Sequence, residues 1–496
     1  MANFPEEHQI SSVYDVVIVG AGISGINCAY RLQTELPDLR FTILEGRDDI
    51  GGTWDLFKYP GIRADTEMYT YSFGWAPWPH SNPIGTGSQI KQYMKDCVSM
   101  YNLDRYIRLQ HKVLSADWSR EDRQWKLIVS NHDRIINIKA DFLVLGTGYF
   151  DYDTPLQTET VIPGLEDFKG KLIHPQFWPT DYDYSGRKLA IIGSGASSIS
   201  MFPELCKEAS QVTMVQRSPT YIVSTDDYAP SLSSLLRFAP LRFSFLKALD
   251  RVWFALVSYL NATLCYYFPS QMRTRLRQMT LPQLPARLEH DIHFQPKYNP
   301  WEQRMCLAPD GDFFKALHSP VANIATGAID RVTDNSVQMK DGTKIDVNDI
   351  IIATGLRLQI GGSISLSVDE GEIKLGGRFL WNGSMVEGVP NMVVLTGYTN
   401  ASWTLGADSA TYIFIRVIKD MKSRRLKCVV PRIPENGFST INRMWELSST
   451  YIVKAESFGR LPVYGDRGPW RPRRNHLIDY AHAHWGDVTT GLVFST

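Results

Sequence analysis

The apolar residues of this chain gather into short unbroken runs that stop abruptly at glycine or at a charge. Asp15-Val-Val-Ile-Val19 stops at Gly20, Phe41-Thr-Ile-Leu44 at Glu45, and Phe142-Leu-Val-Leu145 at Gly146. Leu189-Ala-Ile-Ile192 stops at Gly193, Val212-Thr-Met-Val-Gln216 at Arg217, and Ile350-Ile-Ile-Ala353 at Thr354-Gly355. Runs of this length, bounded by turn residues, read as buried strands. After Val19 and after Ile192 the chain continues in small residues, as a helix packed close against its strand requires. The pattern predicts strand, tight turn and helix in succession, hence an α/β fold.

Two of the turns share a spacing. Gly20-Ala-Gly22-Ile-Ser-Gly25 and Gly193-Ser-Gly195-Ala-Ser-Ser198 lie about 170 residues apart. In such a turn, unpaired backbone N–H groups and the helix dipole converge on one point and cradle a pyrophosphate. Glycine spacing alone is a common accident of strand–helix joints, so the residues downstream carry more weight. Glu45 closes the next run, twenty residues beyond Gly25. An acid there accepts hydrogen bonds from a ribose 2′-OH, which suits FAD or NAD and not a 2′-phosphate. The run after the second loop closes instead on Arg217-Ser218. A cation beside a hydroxyl suits a 2′-phosphate, hence NADPH. Ser198 replaces the third glycine, a small change that helix–strand packing tolerates. The expectation is two Rossmann-like dinucleotide-binding domains, one for FAD and one for NADPH, with electrons passing between them.

The runs Phe142–Gly148 and Ile350–Gly355 look like the strands that close each domain, where the chain crosses to the other. On that reading the FAD domain is discontinuous. Residues 10–155 are its first part, and 359–496 are its second part with a C-terminal segment. The NADPH domain takes 156–221 and 321–358. Between them, 222–320 is a helical, aromatic-rich insertion, with Pro219 just before it and Pro230, Pro240, Pro269 and Pro282 breaking it up. A chain of 496 residues exceeds what one core supports.

Charge and cysteine usage narrow the class. Lys plus Arg and Asp plus Glu number 52 each, so no net field recruits nucleic acid. Cys28, Cys97, Cys206, Cys265, Cys306 and Cys428 are scattered, with no CxxC and no metal-ligand spacing, so a reduced cytoplasmic protein without a metal is expected. Met1-Ala-Asn-Phe-Pro-Glu-Glu-His8 lacks the apolar core of a signal peptide. Val252–Phe268 is a stretch of 17 residues without a charge, with Arg251, Arg273, Arg275 and Arg277 on its flanks. It is short for a stable bilayer span. A buried helix of the insertion is expected; shallow peripheral membrane contact is the other reading that the basic flanks allow.

The segment from Gly51 to Asp65 (GGTWDLFKYPGIRAD) is dense in glycine, aromatics and charge. Loops so built on a rigid scaffold carry chemistry, and its place after the ribose acid sets it over an isoalloxazine. At this point the residues resemble the two-dinucleotide-binding flavoproteins, and within them the type I Baeyer–Villiger monooxygenases. Phe168-Lys-Gly170-Lys-Leu-Ile-His174-Pro-Gln-Phe-Trp178-Pro179 matches that family's fingerprint, FxGxxxHxxxW(P/D), at every fixed position. GGTWDLFKYPGIRADTEMYTYSF from Gly51, YNPWEQRMCLAPDGDFFKAL from Tyr298 and GYTNASWTL from Gly397 resemble the ethionamide-activating subgroup.

The resemblance implies roles for single residues. Gly20, Gly22, Gly25, Glu45, Gly52, Thr53, Trp54, Asp65, Tyr71 and Val113 would hold FAD. Arg63, Ala64, Gly193, Gly195, Ser198, Arg217, Ser218, Gln303 and Arg304 would face NADP. Arg304 would be the fixed cation beside the flavin, with Asp65 its partner, and Asn400 and Trp403 would lie near the substrate. His174 would belong to a linker that responds to NADP, with no acid–base work. Cys306, among apolar neighbours, reads as packing. The implied reaction has NADPH reduce FAD and the reduced flavin take up O2 at C4a. The resulting peroxide adds to a ketone when deprotonated, giving an ester or lactone, and oxygenates sulfur when protonated. Arginine cannot lose its proton, and its charge favours the anionic form. The implied partners are therefore a small ketone or sulfide and O2. A disulfide reductase, which shares the two-nucleotide plan, is excluded because Trp54 and Tyr59 stand where its cysteines would be. A flavin-containing monooxygenase that oxygenates heteroatoms only is the alternative.

Overall fold

The runs that end at glycine become the central strands of two sheets, and the chain visits the first sheet twice. The computed structural model describes residues 10–154, 161–224, 243–473 and 475–496. The reading of Met1–His8 and the breaks at Pro230 and Pro240 lie outside the described residues. The elements that frame the site begin with β1 (Ile10–Val19), α1 (Ile23–Glu35), β2 (Phe41–Leu44), and the one-turn helices α2 (Thr53–Leu56) and α3 (Met68–Tyr71). They continue with β3 (Ile107–Arg108), β4 (Lys112–Ser119), β5 (Gln124–Asn131) and β6 (Arg134–Leu145). Next come β7 (Lys171–Ile173), β8 (Lys188–Ile192), α4 (Ala196–Leu205), β9 (Gln211–Gln216), α5 (Phe243–Tyr267), α6 (Pro269–Thr280), β10 (Ala322–Thr326) and β11 (Asp349–Ile352). The chain then returns through β12 (Ser365–Val368), β13 (Gly371–Ile373), β14 (Leu380–Trp381), β15 (Met385–Val386), β16 (Met392–Val394), α7 (Trp403–Ser423) and α8 (His476–Trp485).

The first sheet has 11 strands in the order β13-β12-β4-β5-β6-β1-β2-β3, with β16, β15 and β14 added through β16 on β6. β1 runs parallel to β2, Val19 opposite Leu44, and to β6, Val19 opposite Leu145. The first glycine loop therefore leaves the sheet between the strand that ends at Glu45 and the one that ends at Gly146. The second sheet has 5 parallel strands in the order β10-β9-β8-β11-β7. Its glycine loop likewise leaves between β9, which Arg217 follows, and β11. Val16, Val17, Ile18, Ile191, Ile350 and Ile351 have no exposed surface, as expected of parallel strands covered on both faces. The fold is α/β with two Rossmann-type units. The returning segment is tied to the first unit at α7, where Asp408 takes a bidentate pair from Arg31 of α1 (3.0 and 3.1 Å) and a hydrogen bond from Asn27 (3.0 Å).

α5 corrects one expectation. Phe254, Ala255 and Cys265 are buried, but Val252, Leu256, Leu260, Leu264 and Phe268 are exposed. Apolar residues run round the helix, and among the described residues its partners lie on one side. The basic flank partly turns inward: Arg251 Nη1 donates to the carbonyls of Tyr69, Thr70 and Ser72 at the end of α3 (3.2, 3.1 and 2.8 Å). Among the described residues, no helix is long and apolar enough to cross a membrane.

Candidate active site

A cleft of about 860 Å³ is lined by residues of both glycine loops and of the segment from Gly51 to Asp65. On its first side, Gly22 caps α1. A glycine cap brings no side-chain acceptor, so the N–H groups of the first turn are left for a ligand. Gly25 lies behind the loop, where a Cβ would come 1.9 Å from the Gly20 carbonyl oxygen; it serves the approach of α1 to β1. Glu45 is held in place at the end of β2, Oε2 accepting from the Ala21 N–H (2.8 Å) and Oε1 from the Arg47 N–H (3.1 Å). Thr53, Trp54, Tyr71 and Val113 line the same side, and the Trp54 indole donates to the Tyr71 hydroxyl (2.8 Å). Two polar atoms of the lining residues, Arg47 Nη1 and Thr147 Oγ1, are buried without a partner among the described residues. Unmet polar atoms in the wall of a cleft this large fit a polar ligand.

The second side repeats the plan. Gly195 caps α4, and Ser194 Oγ donates to the Ser218 carbonyl (3.0 Å), which ties the glycine loop to the end of β9. Arg217 is exposed and reaches across to Thr450 Oγ1 (3.1 Å). Gly193, Gly195, Arg217 and Ser218 all line the cleft, while Ser198 is wholly buried behind the loop. Arg63 and Ala64 also face the cleft, Arg63 held in a bidentate pair with Asp312 (2.5 and 3.2 Å).

Between the two sides sit Arg304 and Asp65. Arg304 Nε lies 2.8 Å from Asp65 Oδ2 and Nη2 lies 3.1 Å from Oδ1. About a quarter of the Arg304 side chain (26%) is exposed, toward the cleft that both residues line, with Gln303 beside it. Burial works most strongly against the guanidinium charge, but Asp65 together with Tyr149, Tyr451 and Cys306 more than offsets it and holds the group above its ordinary value. Facing it is an aromatic wall. Tyr149 stacks on Trp403 (4.6 Å) and meets Trp445 edge-on (5.5 Å), and the Trp403 indole donates to Ser24 Oγ (2.9 Å). Tyr451 completes the surroundings of the arginine.

Two tempting groups are silenced by their settings. Burial pushes the Cys306 thiol up to about 12, so it is inert packing. Burial lowers His174 below the ordinary histidine value; its Nδ1 accepts the Gln176 N–H (3.3 Å) and its ring also bonds the Gly355 backbone. That histidine ties the segment after β7 to the turn after β11. Asn400, expected near the substrate, is not among the residues that line the cleft, although Thr399 and Trp403 are.

Sequence reasoning missed Arg47, Tyr149, Trp445, Thr450 and Tyr451. Arg47 and Tyr149 sit next to recognised motifs and were within reach. The other three lie in a C-terminal stretch with no glycine loop or apolar run to mark it. A buried acid, Glu67, was missed as well. It caps α3, accepting from both the N–H (2.8 Å) and the hydroxyl of Thr70. Thr70 in turn bonds Ser402 (2.5 Å), the cap of α7 beside Trp403.

Comparison with known proteins agrees with this geometry. Residues 14–230 match the flavin-binding monooxygenase-like family. The FAD-containing monooxygenase EthA of Mycolicibacterium smegmatis is 39% identical over 468 residues, 94% of each chain. The probable FAD-binding monooxygenase AlmA of Acinetobacter baylyi is 38% identical over 467 residues, 94% of this chain and 92% of its own. A steroid monooxygenase structure bound to NADP superposes with a TM-score of 0.72 at 19% identity, covering 97% of this chain and 99% of its own. An open structure of cyclohexanone monooxygenase gives 0.73 at 18%, covering 98% and 100%. Those structures speak for the fold; the relatives near two-fifths identity, matched along nearly their whole length, speak for more. With a glycine cradle on each side of one cleft and relatives of that kind, the chain belongs to the FAD-containing monooxygenases, a family of oxidoreductases.

Proposed function

We propose that this protein is an NADPH-dependent Baeyer–Villiger monooxygenase that inserts oxygen beside a ketone carbonyl, with sulfoxidation as a second activity. The observation that carries the reading is the Arg304–Asp65 pair, a fixed cation in the cleft with a glycine cradle on either side. FAD would be held by the first loop, Glu45, Arg47 and the wall from Gly52 to Tyr71. NADP would be held by the second loop, Arg217 and Ser218. Bound there, the two cofactors supply a hydride and an oxygen atom taken from O2.

The remaining work belongs to the chain. When oxygen adds to a ketone, negative charge develops on the carbonyl oxygen. Arg304 offers that charge a donor that needs no reorganisation, and Asp65 fixes the plane of the guanidinium through its two contacts. The wall of Tyr149, Trp403 and Trp445 excludes water and strengthens the interaction. Oxygen transfer to a sulfide builds no such anion and makes less use of Arg304. The ketone and sulfide reactions therefore separate at one side chain.

The test is to quantify esters, sulfoxides and hydrogen peroxide side by side. Arg304→Ala is expected to lower ester formation by at least about 10²–10³, as for loss of one oxyanion donor, and sulfoxide formation by less, with NADPH oxidation diverted to hydrogen peroxide. Asp65→Ala should show the same bias more weakly while FAD stays bound. A wild type that makes sulfoxides and no ester from linear, cyclic or aryl ketones is a heteroatom monooxygenase instead.

A further inference from the structure

We propose that the outer face of α5 is a membrane-binding surface, one that seats the protein peripherally on an anionic bilayer. Val252, Leu256, Leu260 and Leu264 recur every fourth residue along α5, and they are 66%, 39%, 48% and 38% exposed; Phe268, 51% exposed, follows just beyond the helix end. Such a row forms one ridge along a helix. At its C-terminal end Tyr266 and Tyr267 are also exposed. Scattered apolar residues on a surface are ordinary, but a continuous apolar ridge on a folded protein marks contact with something.

The ridge is not a sign of a loosely held helix. α5 is fixed from its other side by Arg251 on the α3 carbonyls and by His476 of α8, whose Nε2 bonds the Ala255 carbonyl (3.0 Å). Phe254 stacks on Tyr69 (4.7 Å) on that same inner side.

Charge identifies the occupant. The whole chain is balanced, with 52 residues of each sign. Residues 228–288 are not. In sequence they carry Arg237, Arg242, Lys247, Arg251, Arg273, Arg275, Arg277 and Arg287 against one acid, Asp250; among the described ones Lys247 is buried, Arg251 turns inward and Arg277 pairs with Asp291, while Arg275 and Arg287 are exposed. Asp250 has no exposed surface. Arg275 is exposed on α6, just beyond the aromatic end of the ridge. An apolar ridge with aromatics at one end, in a segment stripped of exposed acids, has the composition of a helix that lies in the headgroup region. Each arginine near an anionic surface adds to the attraction. A second copy of the chain would bury the ridge equally well, but like charge on both copies would oppose it.

The test uses the full-length, flavin-loaded protein and two vesicle preparations, one of phosphatidylcholine alone and one enriched in phosphatidylglycerol. Wild type should sediment with the anionic vesicles and far less with the neutral ones, and high salt should release it. The double variant Leu256→Glu/Leu260→Glu should lower partitioning by at least about tenfold while keeping its flavin content and melting temperature. Wild type left in the supernatant with both preparations overturns the proposal, as does equal sedimentation with both. A wild-type dimer that the double variant splits, with no vesicle binding by either, assigns the ridge to a second copy instead.

Discussion

Glu67 is the residue whose behaviour departs furthest from its type. Burial pushes its carboxyl up from an ordinary 4.5 to about 7, with the hydrogen bonds from Thr70 and the charge of Arg251 acting the other way. Folding therefore takes up a proton between those two values. The sign follows: the stability tied to this proton is complete below about 4.5 and is lost as pH rises through about 7. Glu67→Gln keeps the size of the side chain and removes the titration. The melting temperature of the variant minus that of wild type should rise from pH 5 to pH 8, on the order of a few degrees for a chain this long. A flat difference across that range would mean that Glu67 does not titrate there. The same residue shows where sequence reading stops. Glu45 and Arg217 were legible because each ends an apolar run. Glu67 looks like any surface glutamate of a polar loop, and only the packing of α3 under α5 buries it.

Elements show why a glycine is present more clearly than the sequence does. Gly22 and Gly25 look alike in the motif, yet they answer to different demands. A Cβ at Gly25 would meet the Gly20 carbonyl oxygen at 1.9 Å, backbone that cannot move without parting α1 from β1. At Gly22 the nearest atom is the Gly52 Cα at 3.5 Å, an ordinary contact, and the backbone there (φ −82°) is open to any residue. Gly25→Ala is therefore expected to cost about 1–3 kcal/mol of stability by overpacking, and the loss should appear in flavin-free protein. Gly22→Ala should leave the flavin-free melting temperature nearly unchanged and lower flavin content, because its methyl group enters the space for the pyrophosphate. Thermal melts of both variants, with and without added FAD, separate the two effects. Equal losses in the flavin-free state would refute the distinction. At this scale the sequence was most legible: each run that stops at glycine or charge is a central strand, with small differences at the ends. It was least legible at α5, where an uncharged stretch was expected inside and half of it lies outside. Composition reports how apolar a helix is; how many sides have partners is decided by the rest of the fold.

For the whole molecule, the informative fact is how far apart in the chain the residues of one cleft lie. The discontinuous path was readable from the runs ending at Gly146 and Thr354, since each sits beside the strand that leads into a glycine loop. The closing contribution of the C-terminal segment was not, and it bears on nucleotide choice. Arg217 follows β9 directly and donates to Thr450, a residue 233 positions later. The arginine is exposed and that hydrogen bond is exposed too, so a 2′-phosphate can compete for the guanidinium at little cost. If it does, NADPH gains a charge-assisted contact that NADH lacks, worth roughly 1.5–3 kcal/mol. Arg217→Ala should then weaken NADPH by about 10–100-fold and leave NADH use nearly as it was. Binding should also register as stability: NADP+ at a hundredfold excess over its Kd should stabilise wild type by about 2.7 kcal/mol, and at that same concentration the variant should keep about 0.4–1.4 kcal/mol. NAD+ should give neither protein much protection. Calorimetric titration with both nucleotides, alongside melts at matched concentrations, measures all of this. A wild type that binds and oxidises NADH as well as NADPH would remove Arg217 from the selectivity, and with it the assignment of the second loop to a 2′-phosphorylated nucleotide.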